Sequence, residues 1–172
     1  MSSSRPCWKK VLVTYDETMM LQNAKKATLY FLYAYWIVTI LGIVLTILFA
    51  YLFDPPSPEE LGVTASQAPA YLMTIPYHPL LNLVVWPWFA WLYLRSVTGT
   101  RKPGNEALRL GIFWAVITIV IDLIGWVLIP HPWAMTFKEF YIDYQPWITL
   151  IYLIIFVTPI AIHLFVKRRQ VA

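Results

Sequence analysis

Four long apolar runs divide the chain, separated by short segments that are polar, basic or proline-rich. A hydrocarbon core of about 30 Å takes about 20 consecutive apolar residues in a helix. Runs at about 27–53, 79–94, 110–129 and 147–166 meet or approach that length. The second is the shortest and the most aromatic. The pattern predicts an all-α integral membrane protein, a four-transmembrane-helix bundle forming one membrane domain over residues 1–172. The first run starts too far in, and is too long, for a secretory signal peptide, so it reads as a retained helix.

Charge gives the runs a direction. Arg5, Lys9, Lys10, Lys25 and Lys26 precede the first run. Arg95, Arg101, Lys102 and Arg109 lie between the second and third, and Lys167, Arg168 and Arg169 follow the fourth. With four spans, twelve of the thirteen Lys and Arg fall on one side, Lys138 being the exception. Basic loops stay in the cytoplasm, so both termini are expected there. Three or five spans would destroy the asymmetry. Short loops and this charge rule fit a bacterial plasma membrane.

The opposite side carries Asp54, Glu59, Glu60, Glu139 and Asp143. Ser57 with Glu60 three residues on forms a capping box, with Pro58 at the first helical position. Thr136 and Glu139 repeat that spacing, so short interfacial helices are expected in both outer loops. Thr14 and Glu17 give a third box. It predicts an amphipathic N-terminal helix from near Tyr15, continuous with the first span. Met19, Met20 and Leu21 would lie on the membrane surface. Residues 99–105 read as a turn, with Asn105 capping the third span.

Composition agrees with this picture. The chain is 59% hydrophobic and 13% charged, against about 45–50% and about 25% in soluble domains. Nine Trp and eleven Tyr are the residues that collect at membrane–water interfaces. The net charge of +4 flanks the apolar runs instead of forming one patch, which excludes nucleic acid as a partner. Cys7, the one cysteine, can form no intrachain disulfide and no C-x-x-C site. It reads as a reduced cytosolic thiol.

The third span holds the most informative pattern. Gly111, Ala115, Thr118, Asp122 and Gly125 are spaced 4, 3, 4 and 3, which puts small and polar residues on one helical stripe. Such stripes are where helices pack in lipid. Weaker stripes are Thr39, Gly42, Thr46 and Ala50 in the first span, and Asn82, Trp86 and Ala90 in the second. Gly111, Ala115, Gly125 and Gly42 form the expected helix-packing seam.

Asp122 is the one acidic residue within a span. A carboxylate there costs about 2.5–3.5 kcal/mol on insertion scales, and such a residue marks a functional site by default. No Lys or Arg lies within a span to pair with it. Thr118, Asn82, Thr46 and Trp86 complete the candidate ligand or ion pocket. The structural alternative makes Asp122 a neutral acid joining two helices, a contact worth about 1 kcal/mol. Asn82 and His163 read as structural residues. His78 and His131 lack metal-ligand spacing, and no cofactor is implied. The aromatic runs at 86–91 and 141–147 form an interface belt.

Family motifs are mostly missing. There is no cysteine pair of the quinone-linked thiol oxidoreductases and no Gly-x-Ser-Gly of the rhomboid proteases. Asp122 has no second intramembrane aspartate, as lipoprotein signal peptidases require. Small multidrug transporters carry their acid in the first span, where this chain has none. Trp86-Pro87-Trp88-Phe89-Ala90-Trp91-Leu92-Tyr93 resembles the tryptophan-rich sensory proteins over eight residues, but those have five spans.

The leading expectation is a non-enzymatic membrane protein acting through helix–helix contacts. It would be an accessory subunit of a membrane assembly or a small homo-oligomer, with lipids and other subunits, or itself, as partners. The first alternative is a small proton- or cation-coupled transporter or ligand-binding protein using Asp122. The second is an intramembrane lipid-acting enzyme, with Asp122 as general acid or base and His131 or Asp143 assisting.

Overall fold

The computed structural model of the protein describes residues 7–97 and 103–171, with side chains for 23–97 and 104–168. Among the described residues it is all helical. Helix α1 is Cys7–Phe53, α2 Pro58–Leu61, α3 Pro69–Thr74, α4 His78–Ser96, α5 Pro103–Asp122 and α6 Trp147–Val171. Among the described residues, three segments are long and apolar enough to cross a membrane: Asn23–Phe53, Gly104–Leu128 and Trp147–Arg168. Helix α4 has 19 residues. Its mean hydropathy is held down by Asn82, two prolines, three tryptophans, Tyr93 and Arg95.

Cross-helix contacts set the directions. Lys26 Nζ donates to the Ser96 carbonyl at 3.0 Å, and Phe31 meets Trp86 with ring centroids 5.7 Å apart. These pairs make α1 and α4 antiparallel. Gly111 backs onto Phe156 and Gly104 onto His163, so α5 and α6 are antiparallel too. Trp114 Nε1 donates to the Ala27 carbonyl at 3.0 Å, and Tyr35 reaches Asp122, so α1 and α5 run the same way. The most extensive helix contacts join α5 to α6 and α4 to α6, followed by α1 to α4. Alternation gathers Lys25, Lys26, Arg95, Arg109, Lys167 and Arg168 at one end of the molecule. Asp54, Glu59, Glu60, Glu139 and Asp143 lie at the other, called here the loop end.

The helix core follows from periodicity. Ala27, Phe31 and Ala34 of α1 are buried, as are Val85, Trp86, Phe89, Ala90 and Tyr93 of α4. Leu110 and Trp114 of α5 and Ile155 of α6 close the cluster. Spacings of three and four place each set on one face. The opposite faces are apolar and exposed: Ile40, Val44 and Ile47 on α1, Leu80, Val84 and Trp88 on α4, Ile112 and Val116 on α5.

At the loop end, local sequence decides the elements. Helix α1 stops at Asp54, whose φ of 45° is left-handed, a conformation Asp tolerates better than most residues. Pro55 then disfavours further helix. The Ser57 capping box forms: Glu60 Oε2 accepts the Ser57 N–H at 2.8 Å, and Ser57 Oγ accepts the Glu60 N–H at 3.3 Å. Gly62 ends α2 at φ 65°, where a glycine pays no side-chain penalty. The second box forms as well, with Glu139 Oε2 2.6 Å from the Thr136 N–H. The Thr136 amide and then Gln67 hold the Glu139 carboxyl below its usual range.

Three features depart from the sequence reading. Helix α1 is already formed at Cys7, eight residues before Tyr15. The side chains of the Thr14–Glu17 box, of Cys7 and of Met19 to Leu21 lie outside the described residues, as do residues 99–102 of the expected turn. Asn105, expected to cap the third span, is instead the third residue of α5, which starts at Pro103. Helix α3 is an added element. It has Pro69 at its start but Ala68 as its cap, with no capping side chain to announce it. Finally, the third apolar run is not α-helical to its end. It passes at Asp122 into a π-helical turn, Leu123–Leu128.

Candidate functional site

The polar stripe of α5 runs into a partly open cavity of about 170 Å³ near the loop end. That is about ten times the space one water requires. The walls come from α1 (Tyr35, Thr39, Gly42, Thr46), α3 (Tyr71), α4 (His78, Asn82, Trp86), α5 with its π turn (Thr118, Asp122, Trp126) and α6 (Ile148, Ile155). Trp133, Phe140 and Tyr144 of the 123–147 connection close the loop-end side.

Asp122 is the focus. It sits where the α-helix widens into the π turn, a distortion that recurs at functional sites. It is 6% exposed. Tyr35 Oη donates to its Oδ1 at 2.7 Å, and Tyr152 Oη donates to its Oδ2 at 3.0 Å. Trp126 Nε1 donates in turn to Tyr35 Oη at 3.2 Å. One carboxyl therefore ties α5 to both α1 and α6. Among the described residues, no Lys or Arg lines the cavity.

A second polar group faces it. Thr74 Oγ1 donates to the Tyr71 carbonyl at 2.7 Å and lies 3.3 Å from His78 Nε2. With that proton used, His78 Nε2 is the donor to Thr74. His78 Nδ1 then accepts the Tyr144 hydroxyl proton at 2.5 Å. The tautomer is thus assigned by the network. Burial pushes the Tyr71 hydroxyl up to about 12, so it stays neutral at pH 7. Asn82 bonds within its own helix: Nδ2 donates to the His78 carbonyl at 2.8 Å, and Oδ1 accepts the Trp86 N–H at 2.7 Å.

All five residues read from sequence as a pocket, Asp122, Thr118, Asn82, Thr46 and Trp86, line this one cavity. The seam residues separate. A Cβ on Gly111 would stand 2.3 Å from the Phe156 carbonyl oxygen, so Gly111 is where α5 and α6 touch backbone to backbone. Ala115 is half-buried. A Cβ on Gly42 would meet His78 Nε2, at 3.8 Å across the cavity wall, and a Cβ on Gly125 would meet nothing within 4 Å.

His131 and Asp143, named as helpers for a lipid-acting enzyme, do not line the cavity. His131 Nδ1 accepts the Trp133 N–H at 3.1 Å, which leaves Nε2 to donate to the Gly125 carbonyl at 2.7 Å. It caps a carbonyl of the π turn. Asp143 pairs with Lys138 at 2.9 Å on the exposed surface. His163 lies at the basic end beside Gly104. No group of three potential metal-ligating side chains occurs among the described residues.

Sequence reasoning missed Tyr35, Tyr152, Tyr144, Tyr71, His78 and Trp126. A signal existed for Tyr35. The run Tyr35-Thr39-Gly42-Thr46 has the same 4, 3, 4 spacing as Gly111-Ala115-Thr118-Asp122. Assigning tyrosines to an interface belt hid it. No family model, curated protein or solved structure matches the chain.

Proposed function

We propose that this is an integral membrane protein that crosses the bilayer four times, with both ends in the cytoplasm, and binds a small lipophilic molecule in the cavity around Asp122. The observation that carries the reading is a buried acid, gripped by two tyrosines from two other helices, opening onto a largely apolar cavity. Ligand sites are of this kind: mostly apolar walls with a few convergent polar groups. Contact with a partner subunit takes second place. Gly111, the tightest point of the small-residue seam, is used inside the chain, against α6.

Two features support α4 as a span. It buries one face on α1 and α6 while presenting Leu80, Leu83, Val84 and Trp88 outward. Its crossing also leaves every described Lys and Arg except Lys138 at one end, as the positive-inside rule asks. A labelling experiment checks this in a Cys7→Ser background. An impermeant maleimide is expected to reach Glu59→Cys and Asp143→Cys in intact cells, but Arg95→Cys and Lys167→Cys only after permeabilisation. Equal labelling of Glu59→Cys and Arg95→Cys would mean that α4 does not cross.

Native mass spectrometry of protein extracted in mild detergent tests the ligand. One discrete small molecule per chain is expected, depleted by Gly42→Leu, whose side chain enters the cavity. A bare chain, or one bound only to a second polypeptide at fixed stoichiometry, would end the proposal.

A further inference from the structure

The polar groups of the cavity are mostly of one kind. Thr39, Thr46 and Thr118 each donate their hydroxyl proton to the carbonyl four residues back, at 2.9, 3.0 and 2.7 Å. Tyr35 and Tyr152 give theirs to Asp122. Trp86 and Trp126 give theirs to Asn82 and Tyr35. Their donors are spent, and lone pairs remain. The cavity thus offers mainly acceptors, with a carboxyl at their centre and no Lys or Arg among its described lining residues. Two donors on two different oxygens is the arrangement that suits an ionised carboxylate. An unpaired charge in such surroundings is costly until a cation arrives.

The remaining walls are aromatic and aliphatic, Leu81, Ile148 and Ile155 among the latter. Tyr35, Trp126, Trp86, Trp133, Phe140 and Tyr144 all line the space. Aromatic faces attract an ammonium group and pack equally well on hydrocarbon.

We infer that the occupant is a lipophilic monocation, a protonated amine whose N–H groups reach Asp122 while its hydrocarbon lies among the rings. The inference rests on the cavity being a ligand site. A ligand that only accepted hydrogen bonds would meet lone pairs, and an anion would meet Asp122.

Binding of tritiated 2-phenylethylamine to protein in nanodiscs, at pH 7, tests it by displacement. Unlabelled 2-phenylethylamine is the charged competitor, and 2-phenylethanol is a neutral one of the same size. Saturable binding is expected, with the alcohol at least tenfold weaker. Asp122→Asn is expected to remove the preference, and Gly42→Leu to remove binding. Should Asp122→Asn fail to fold, the amine-to-alcohol ratio in the unmodified protein and the Gly42→Leu result still decide. Equal displacement by the alcohol would overturn the charge inference and leave the ligand cavity standing. So would a preference that survives in folded Asp122→Asn. Unchanged binding in Gly42→Leu would place the amine elsewhere and overturn it. An absence of saturable binding up to millimolar amine would overturn it as well. The mass measurement then judges the ligand reading separately, since it needs no chosen amine.

Discussion

Gly111→Ala is expected to lower the thermal midpoint of the detergent-solubilised protein by several degrees, while Gly125→Ala leaves it unchanged. The two glycines share one stripe, and their surroundings differ. The new methyl on residue 111 would stand 2.3 Å from the Phe156 carbonyl oxygen and 3.3 Å from its carbon. Both are backbone atoms and cannot rotate aside, so α5 and α6 must separate at their closest approach. Overpacking of this kind costs about 1–3 kcal/mol, and a chain of this size loses about 2–4 °C per kcal/mol. At position 125 a methyl meets nothing within 4 Å. Differential scanning fluorimetry of the two variants separates the cases. A Gly111→Ala midpoint equal to that of the unmodified protein would show that the helices do not meet there.

The same pair shows what a stripe can and cannot say. Spacing of three and four finds the inward face of α5 correctly, because the α-helical period alone decides which residues share a face. Gly111, Thr118 and Asp122 are all buried on it. Spacing does not say what stands opposite. That depends on where α6 crosses, and on the change of period at Asp122. The π turn Leu123–Leu128 rotates Gly125 out of the register that a straight helix would give it. No residue in 123–128 advertises the widened turn. Its support comes from outside, in the His131 bond to the Gly125 carbonyl and the Met135 amide bond to the Trp126 carbonyl at 2.8 Å.

Polar partners were legible on one side only. An aspartate in an apolar run is conspicuous because its burial is costly. A tyrosine is equally at home in a belt, a core or a polar site, so Tyr35 and Tyr152 announce nothing alone. Capping boxes were the opposite case. Ser57–Glu60 and Thr136–Glu139 are closed by residues three apart, and such local signals survive any tertiary arrangement. Helix α3 lacked a box, and with it Tyr71 and Thr74, two residues at the cavity's second polar group, went unread.

Tyr35→Phe is expected to destabilise the protein about twice as much as Tyr152→Phe, although each removes one hydroxyl. The Tyr152 hydroxyl donates to Asp122 Oδ2, with the Tyr141 hydroxyl as a second neighbour. The Tyr35 hydroxyl donates to Asp122 Oδ1 and also accepts the Trp126 N–H. Its loss strips a partner from two groups at once. Interhelical hydrogen bonds in membrane proteins average about 0.6 kcal/mol and reach about 1.7. Roughly 1 kcal/mol is therefore expected for Tyr152→Phe and roughly 2 for Tyr35→Phe. Water entering the cavity can serve Asp122, which keeps both values near the ordinary range instead of the larger cost of a sealed, unpaired charge. Combining each change with Asp122→Asn separates the shared bond from the private one. Tyr152→Phe should become nearly silent, because its partner is already altered. Tyr35→Phe should keep part of its cost through Trp126, a coupling that a double-mutant cycle measures directly. Equal losses for the two tyrosines, or full additivity with Asp122→Asn, would break the chain from Trp126 through Tyr35 to Asp122. Additivity would leave the carboxyl held by α6 alone, whereas equal losses would leave both tyrosines on it and only Trp126 outside the chain.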